Sequence, residues 1–457
     1  MRHLGFLLLF ACAAAAAPGP ASGADTGARP AASGPAEARL VTLKNGMRLL
    51  LAPDSTAAAV DLAVWVDAGP VHERAGATGV AHLFEHMMFR GSAHVAAQEH
   101  SRLIQAEGGT ANATTTPDLA CYYQTLPRAA LELAFRLEGD RLASLELSPE
   151  NLEAERSVVR DEKRWRAENS PVGRALQQLY AVAYTRHPYR WPVIGLDEDL
   201  ARVTLEDCRQ FFRGHYAPDN ALVTVVGDFD AGEALGYAKR WLEPVPRRRV
   251  DATPVPAEPP QTAERRATAR MEVPVRLLVL GWKAPGHADP DGPALQLLAR
   301  IAFNGPSSRL NRALVSGGKQ SCLLVQGGLD GRKDAQLLYA VAALRPGADS
   351  ARVERDLVGE VEKLAGEPVS DEELDRARRQ EEIGTLFSWQ TARGRAEALG
   401  TAQLVDGDWR AAGERLERLR RLTPADLQRA AGRVLQAAGR SVVWALPANA
   451  VAQGGAR

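Results

Sequence analysis

The segment Gly79–Gly91, GVAHLFEHMMFRG, carries the most specific pattern in this sequence. His82 and His86 are four positions apart, and Glu85 directly precedes the second of them. Residues i and i+4 share one face of an α-helix, so both imidazoles can bind one metal ion from adjacent turns. Glu85 would then reach a water on that ion, as in the HExxH zinc helix written in reverse order. The alternative is an ordinary amphipathic helix with exposed histidines.

A catalytic zinc ion needs a third protein ligand and one open coordination position. The segment Asn151–Trp165, NLEAERSVVRDEKRW, predicts a helix on which Glu155 and Glu162 are two turns apart and nearly on one face. Helical geometry does not choose between the two carboxylates. A helix face exposed to solvent would carry the same charges, so this acidic pair indicates a metal only because the His motif is present.

The sequence on either side of the motif predicts alternating strands and helices. Helices are expected over residues 79–89, 99–107 and 128–166. Strands are expected in RLVTLKNGMRLLLAPD, which contains a Lys-Asn-Gly turn, and in AVDLAVWVDAG, ACYYQTLP and ALVTVVGDFD. This first block of the chain would therefore mix a sheet with packed helices.

A break follows, because residues 244–260 contain six prolines and three consecutive arginines. Beyond it the order begins again with the strand VRLLVLGWKAP, helices over 293–303, 351–364 and 371–385, and the strand SVVWALP. Thr204 and Thr423 each open a helix before a final strand, which indicates an internal duplication. We therefore predict an α+β fold with domains at 38–243 and 265–450 and a linker at 244–264.

The composition sets the broad class of the protein. The chain has 457 residues, enough for two or three domains, and 45% of them are hydrophobic, which excludes global disorder. Its 56 basic and 56 acidic residues cancel, so we expect no nucleic-acid partner and no polybasic membrane surface. The four cysteines form no CxxC pair and no disulfide framework, and we expect buried free thiols at Cys121 and Cys208.

The N-terminal segment has the features of an export signal. Arg2 precedes the apolar stretch Leu4–Ala17, which is too short to span a membrane, and small residues follow it. We expect residues 1–37 to be a cleaved signal peptide and a flexible segment, and the mature protein to be periplasmic or extracellular. Leu9–Cys12 weakly resembles a lipoprotein cleavage box, so membrane attachment is expected only if Cys12 is lipidated.

Five segments occur in the order, and with the residues, found in the pitrilysin, insulinase and mitochondrial processing peptidase family of zinc metallopeptidases. They are HLFEHMMFRGS, GGTANATTTPDLACYY, ERSVVRDE, HPYRWPVIG and YAPDNALVTVVGDF. The chain resembles this family over nearly its whole length beyond the N-terminal segment, from LKNGMRLLL to LTPADLQRAAGRVL. The resemblance implies two homologous domains, each a mostly antiparallel sheet packed with helices, which enclose a cleft.

The resemblance also assigns roles to individual residues. The family's third zinc ligand falls on Glu162, beside His82 and His86, and Glu155 would then support the site from behind the ligands. Asn112 and Tyr122 match positions that line the substrate cleft, although a turn role for Asn112 and a core role for Tyr122 are alternatives.

The activity implied is that of an endopeptidase acting on peptides or unfolded segments. One zinc ion per chain would activate a water, and Glu85 would act as the general base. The peptide substrate would bind as an added strand at a sheet edge.

One part of the sequence departs from the family pattern. An Arg and a Tyr of the second domain help to hold substrate in fully equipped members, and in SSRLNRALVSGGKQSC their positions fall on Val315 and Cys322. Neither side chain can donate a charge-assisted hydrogen bond. Because some relatives divide these functions between two chains, we expect a heterodimer in which a homologous subunit supplies the Arg/Tyr pair. The alternatives are a non-catalytic scaffold subunit and a self-sufficient monomeric or homodimeric peptidase.

Overall fold

The computed structural model describes residues 38–448 other than 252 and 319, with the side chains of 167–169 also outside the description. The expected signal segment, including Cys12, therefore lies outside the described residues. Within the described part of the chain, no helix combines the length and hydropathy needed to cross a membrane. Cys121, Cys208 and Cys322 are buried free thiols.

The first half of the described chain forms a sheet with helices packed against it. Its strands are β1 (Arg39–Thr42), β2 (Arg48–Pro53), β3 (Val60–Val66), β4 (Thr110–Thr115), β5 (Ala120–Leu126) and β6 (Ala221–Gly227). Its helices are α1 (Val80–Met87), α2 (Glu99–Ala106), α3 (Leu131–Ser144), α4 (Pro149–Asn169), α5 (Pro171–Ala183), α6 (Asp197–Leu200), α7 (Leu205–His215) and α8 (Ala231–Trp241). The strand order is β1-β2-β6-β3-β5-β4, and only β2 and β6 pair in parallel.

The second half forms another sheet of the same kind. Its strands are β7 (Arg265–Met271), β8 (Leu277–Pro285), β9 (Cys322–Leu329), β10 (Ala335–Leu344) and β11 (Arg440–Pro447). Its helices are α9 (Gly292–Phe303), α10 (Arg309–Asn311), α11 (Ser350–Gly366), α12 (Asp371–Ser388), α13 (Ala392–Thr401), α14 (Ala411–Arg421) and α15 (Pro424–Val434). The strand order is β7-β11-β8-β10-β9, and only β7 and β11 pair in parallel.

The two sheets share one topology, which confirms the predicted α+β fold with a repeated unit. The order β2-β6-β3-β5-β4 of the first sheet matches β7-β11-β8-β10-β9 of the second, with the same sequence of parallel and antiparallel pairs. Thr204 caps α7 before β6, and Thr423 caps α15 before β11, each in a capping box with the Asp three residues on. Among the described residues, the first sheet differs from the second by one additional strand, β1.

Burial accounts for two of the strands that the sequence predicted, whereas β7, β9 and the largely buried β10 were not predicted from it. Strands β3 and β6 are buried at every position, and their long apolar runs predicted them correctly. Strand β4 was not predicted, because its sequence TANATT contains no bulky apolar residue. It lies at the free edge of the sheet, where its residues alternate between exposed and half-buried, so it needs little apolar surface.

Each half contributes a helix to the other half's sheet. Helix α5 packs on β8 and β11 of the second sheet, in an apolar cluster that includes Leu179 and Val279. Helix α13 packs on β3 and β6 of the first sheet, in a cluster that includes Leu399 and Trp65. At this contact the backbone lies close to the indole, because a Cβ on Gly400 would be 2.4 Å from the Trp65 ring. The two halves are therefore interlocked through buried apolar surface.

Candidate metal centre

Helix α1 carries the His motif, and its start is fixed by contacts from outside the helix. Gly79 caps it with a left-handed backbone (φ 89°) and has no side chain to accept the first amide protons. The buried carboxyl group of Glu73 does so instead, accepting from Gly79 N at 2.9 Å and Ala81 N at 2.8 Å. A Cβ at Gly79 would also lie 2.8 Å from Ile194 O, so the segment around Gly195 packs directly on the start of α1.

The structure brings His82, His86 and Glu162 together. Oε2 of Glu162, on α4, lies 3.7 Å from His82 Nε2 and 3.4 Å from His86 Nε2. One potential ligand atom from each residue falls within 4.8 Å of the others. The Glu162 oxygen is buried without a hydrogen bond, and Arg166 contacts the other oxygen of the same carboxylate at 2.5 Å. Two imidazoles and one carboxylate are a donor set that suits catalytic zinc, so these residues fit the metal implied by the sequence.

Glu155 lies behind His86 rather than among the ligand atoms. Its carboxylate is 2.9 Å from His86 Nδ1, and it also accepts a hydrogen bond from Arg90. This contact directs His86 Nε2 toward Glu162 and the proposed metal position. Arg90 was not predicted as a site residue, although it lies in the same segment, HLFEHMMFRG, as the two histidines.

The two imidazoles differ in their protonation. Burial lowers the pKa of His82 to about 4, so this ring is neutral and ready to coordinate. Burial alone would also lower the pKa of His86, but the neighbouring carboxylates of Glu155 and Glu162 outweigh it and raise that pKa to about 9. Without a metal, the carboxylates of Glu155 and Glu162 therefore favour the protonated form of His86.

Glu85 projects from α1 toward β4. Burial raises the pKa of its carboxyl group, and a hydrogen bond from Thr115 opposes that shift. The Thr115 hydroxyl donates to Glu85 Oε2 at 2.5 Å. Thr115 was not predicted as a site residue, because one Thr in a run of three carries no distinguishing local pattern.

The two residues matched to the substrate cleft have different surroundings. Asn112 lies on the edge strand β4 with its side chain exposed, and its Oδ1 accepts from Ala113 N at 2.9 Å. Tyr122 is fully buried in the first core, where its hydroxyl is 2.6 Å from the Tyr216 hydroxyl and Arg141 lies over its ring. In this structure Tyr122 has no exposed surface with which to touch a substrate.

The positions matched to the family's Arg and Tyr are apolar and lie in the second half. Val315 belongs to a π-helical turn, Arg312–Ser316, and packs against the second core. Cys322 begins β9 and is buried. Neither residue presents a polar group that could bind a substrate carbonyl.

Two family models match the chain in tandem. Residues 48–196 match "Insulinase (Peptidase family M16)", and residues 202–381 match "Peptidase M16 inactive domain". The first match contains His82, Glu85, His86 and Glu162, and the second contains Val315 and Cys322.

Known proteins resemble the chain over most of its length. The zinc protease PqqE of Helicobacter pylori is 30% identical over 342 residues, which cover 74% of this chain and 77% of that protein. The crystal structure of a protease from Helicobacter pylori is 27% identical with a TM-score of 0.84 and covers 90% of this chain and 99% of that chain. The periplasmic protease PqqL of Escherichia coli shares the fold, with 21% identity, a TM-score of 0.73 and coverage of 90% of this chain and 48% of that chain. The chain therefore belongs to the insulinase family, peptidase family M16.

Proposed function

We propose that this protein is a zinc-dependent endopeptidase that hydrolyses peptides or unfolded segments. The observation that carries the proposal is the convergence of His82, His86 and Glu162 around one point, with Glu85 on the adjacent face of α1. One carboxylate oxygen of Glu162 lies within 3.7 Å of both imidazole Nε2 atoms, and Glu155 contacts the opposite nitrogen of His86, which supports a metal site rather than an exposed helix face.

The residues divide the chemistry between them. Zinc, when bound, supplies Lewis-acid polarisation of a peptide carbonyl and makes water a stronger acid. Glu85 would take the proton from the attacking water and return it to the leaving amine nitrogen. Thr115 occupies one oxygen of the Glu85 carboxylate and leaves the other for this transfer. Glu155 orients His86 through its Nδ1 atom.

The edge of the first sheet is the proposed substrate platform. Strand β4 is the last strand in the sheet order, and Thr115 at its end contacts Glu85. A peptide added alongside β4 would use backbone hydrogen bonds, which explains how one site could accept many side chains. The exposed Asn112 lies on the same strand and would contact such a peptide.

Replacing the proposed base tests the activity. Glu85→Gln keeps the side-chain volume and the zinc ligands, so we expect unchanged zinc stoichiometry and a loss of peptide hydrolysis of about 100- to 10,000-fold. Glu107→Gln, at the exposed position directly after α2, is the matched control and should keep full activity. Hydrolysis by Glu85→Gln at the wild-type rate would rule out Glu85 as the base. A chain that binds no zinc would instead support the scaffold role.

We further propose that the chain is the zinc-bearing subunit of a heterodimer. The proposal is supported by Val315 and Cys322, which leave the second half without the family's Arg/Tyr pair. The mature chain should cleave peptides poorly alone and efficiently after a homologous chain with that pair is added. Full activity of the isolated chain would show that it is self-sufficient.

Export remains a proposal that depends on the N-terminal sequence. Leu4–Ala17 and the small residues after it support a cleaved signal and a periplasmic or extracellular location. Cell fractionation and the N-terminus of the mature chain would test both, and mass spectrometry would detect a lipid on Cys12.

A further inference from the structure

We propose that Thr115 is a positioning residue whose hydroxyl holds the Glu85 carboxylate in its working orientation. This inference rests on the proposed function of Glu85 as the general base. Under this proposal, the edge strand β4 would both bind the substrate backbone and hold the general base in position.

The contact between Thr115 and Glu85 has a defined direction. A carboxylate can only accept, so the Thr115 hydroxyl is the donor in its 2.5 Å hydrogen bond to Glu85 Oε2. Among the described residues, no other hydrogen bond reaches the Glu85 side chain. A Glu side chain has three rotatable bonds, and fixing it costs up to about 2 kcal/mol of rotamer freedom. One directional hydrogen bond from a short, stiff side chain can select one orientation from that set.

The backbone that carries Thr115 is held in place by contacts on both sides of it. Thr115 pairs with Ala120 across the β4–β5 hairpin. In the hairpin turn, Thr116 Oγ1 accepts from Leu119 N at 3.0 Å, and Pro117 O accepts from Val71 N at 3.0 Å. The turn therefore cannot shift without breaking contacts inside and outside the hairpin.

The second half of the chain also holds this turn. Asp118, within it, is buried and accepts a hydrogen bond from the backbone amide of Lys333 at 3.1 Å. Tyr189 donates to the other oxygen of Asp118, and the Tyr189 hydroxyl in turn accepts from Asp334 N at 3.2 Å. The loop between β9 and β10 thus supports the hairpin that presents Thr115 to Glu85. The half that lacks the Arg/Tyr pair still contributes to the site through this support.

A purely structural role for Thr115 makes a different prediction. Thr is common in strands because its branched side chain suits the pleated surface, and Val suits it equally well. If Thr115 served only the strand, Thr115→Val would be harmless. If the hydroxyl positions Glu85, Thr115→Val removes the function and Thr115→Ser retains it.

The test compares Thr115→Val with Thr115→Ser in the full mature chain with zinc, together with the homologous subunit if turnover requires it. We expect Thr115→Val to lower kcat about 10- to 100-fold with KM and zinc stoichiometry unchanged, because a misplaced catalytic group loses rate rather than substrate binding. Thr115→Ser should stay within about threefold of wild type. Equal loss in both variants, or wild-type kcat in Thr115→Val, would overturn the proposal. Thr115→Ala replaces Thr115→Val if the latter does not fold.

A second measurement does not depend on activity. In a crystal structure of metal-free Thr115→Val, the Glu85 carboxylate should be displaced or adopt several orientations. In metal-free Thr115→Ser, it should keep its wild-type position. An unchanged Glu85 in Thr115→Val would overturn the proposal. If Glu85→Gln shows that Glu85 is not the base, the proposed function fails. The comparison of the two crystal structures would still decide whether Thr115 orients the Glu85 carboxylate.

Discussion

His86 holds the proton that a metal ion must displace. The carboxylates of Glu155 and Glu162 overcome the effect of burial and raise its pKa to about 9, whereas His82, with a pKa lowered to about 4 by burial, is already neutral at pH 7. Because metal ligands must be deprotonated, zinc binding at pH 7 should release about one proton. Apparent zinc affinity should therefore rise about tenfold per pH unit up to about pH 9 and then level off.

Calorimetry in buffers of different ionisation enthalpy measures that proton directly.

The same protonation should stabilise the metal-free fold, because the pKa of His86 is higher in the folded state than in the unfolded state. This stabilisation is complete below about pH 6.5 and is lost as the pH rises through about 9. In the calorimetric experiment, zinc binding at pH 7 with no proton uptake by the buffer would contradict the assignment of this proton to His86.

Glu155 should control metal affinity without being a ligand. Glu155→Gln weakens its contact with His86 Nδ1 and leaves Arg90 without its carboxylate partner, so we expect zinc affinity to fall about 10- to 100-fold. Competition with a chromogenic chelator measures this change. Glu153→Gln, on the exposed face of the same helix, is the control and should bind zinc as the wild type does. A loss of zinc stoichiometry in the control would show that α4 itself had been disturbed.

At the scale of single elements, the metal-binding helix depends on a cap from outside it. Glu73 accepts from two amides at the start of α1, where Gly79 offers no side chain. Glu73→Ala should leave these buried donors unsatisfied and lower the free energy of unfolding by about 1–3 kcal/mol. Glu73→Gln should cost less, because its one carbonyl oxygen can still accept.

Urea unfolding of the metal-free chain, monitored by circular dichroism, compares these variants. We also expect Glu73→Ala to weaken zinc binding, since fraying at the start of α1 moves His82. Equal stability of Glu73→Ala and wild type would show that water replaces the cap.

The sequence predicted some elements well and missed others, among them the largely buried strand β10. Strands β3 and β6 are buried throughout, and helices α1 and α4 carry clear helical spacing, so their residues alone identify them. The edge strand β4 was not predicted because it buries little apolar surface, yet it carries both Asn112 and Thr115. Partner contacts, rather than local propensity, make that segment a strand.

At the scale of the whole molecule, the exchanged helices make the two halves interdependent. Helix α5 buries Ala175 and Leu179 against the second sheet, and α13 buries Ala396 and Leu399 against the first. A fragment of residues 38–243 would expose the apolar face of α5 and lose the cover of α13. We expect this fragment, and the fragment 265–457, to be insoluble or unstable when produced alone.

Co-expression of the two fragments should restore a soluble complex that binds zinc. Size-exclusion chromatography and metal analysis provide the measurement. A soluble, monomeric fragment 38–243 with a cooperative unfolding transition would show that the interlocked helices are dispensable.

The sequence by itself determined the repeated α+β organisation and the two histidines with Glu85, because periodicity and short-range spacing are local properties of the chain. The family came from the resemblance of five segments. That resemblance also proposed Glu162 as a ligand, while helical geometry left Glu155 equally possible. Only the tertiary structure placed Glu162 before the imidazole nitrogens and Glu155 behind His86, because that distinction depends on how α4 crosses α1. The hydrogen bond from Thr115 to Glu85 and the cap that Glu73 provides for α1 also depend on the tertiary structure. Each joins different segments of the chain, so the residues of one segment alone do not predict it.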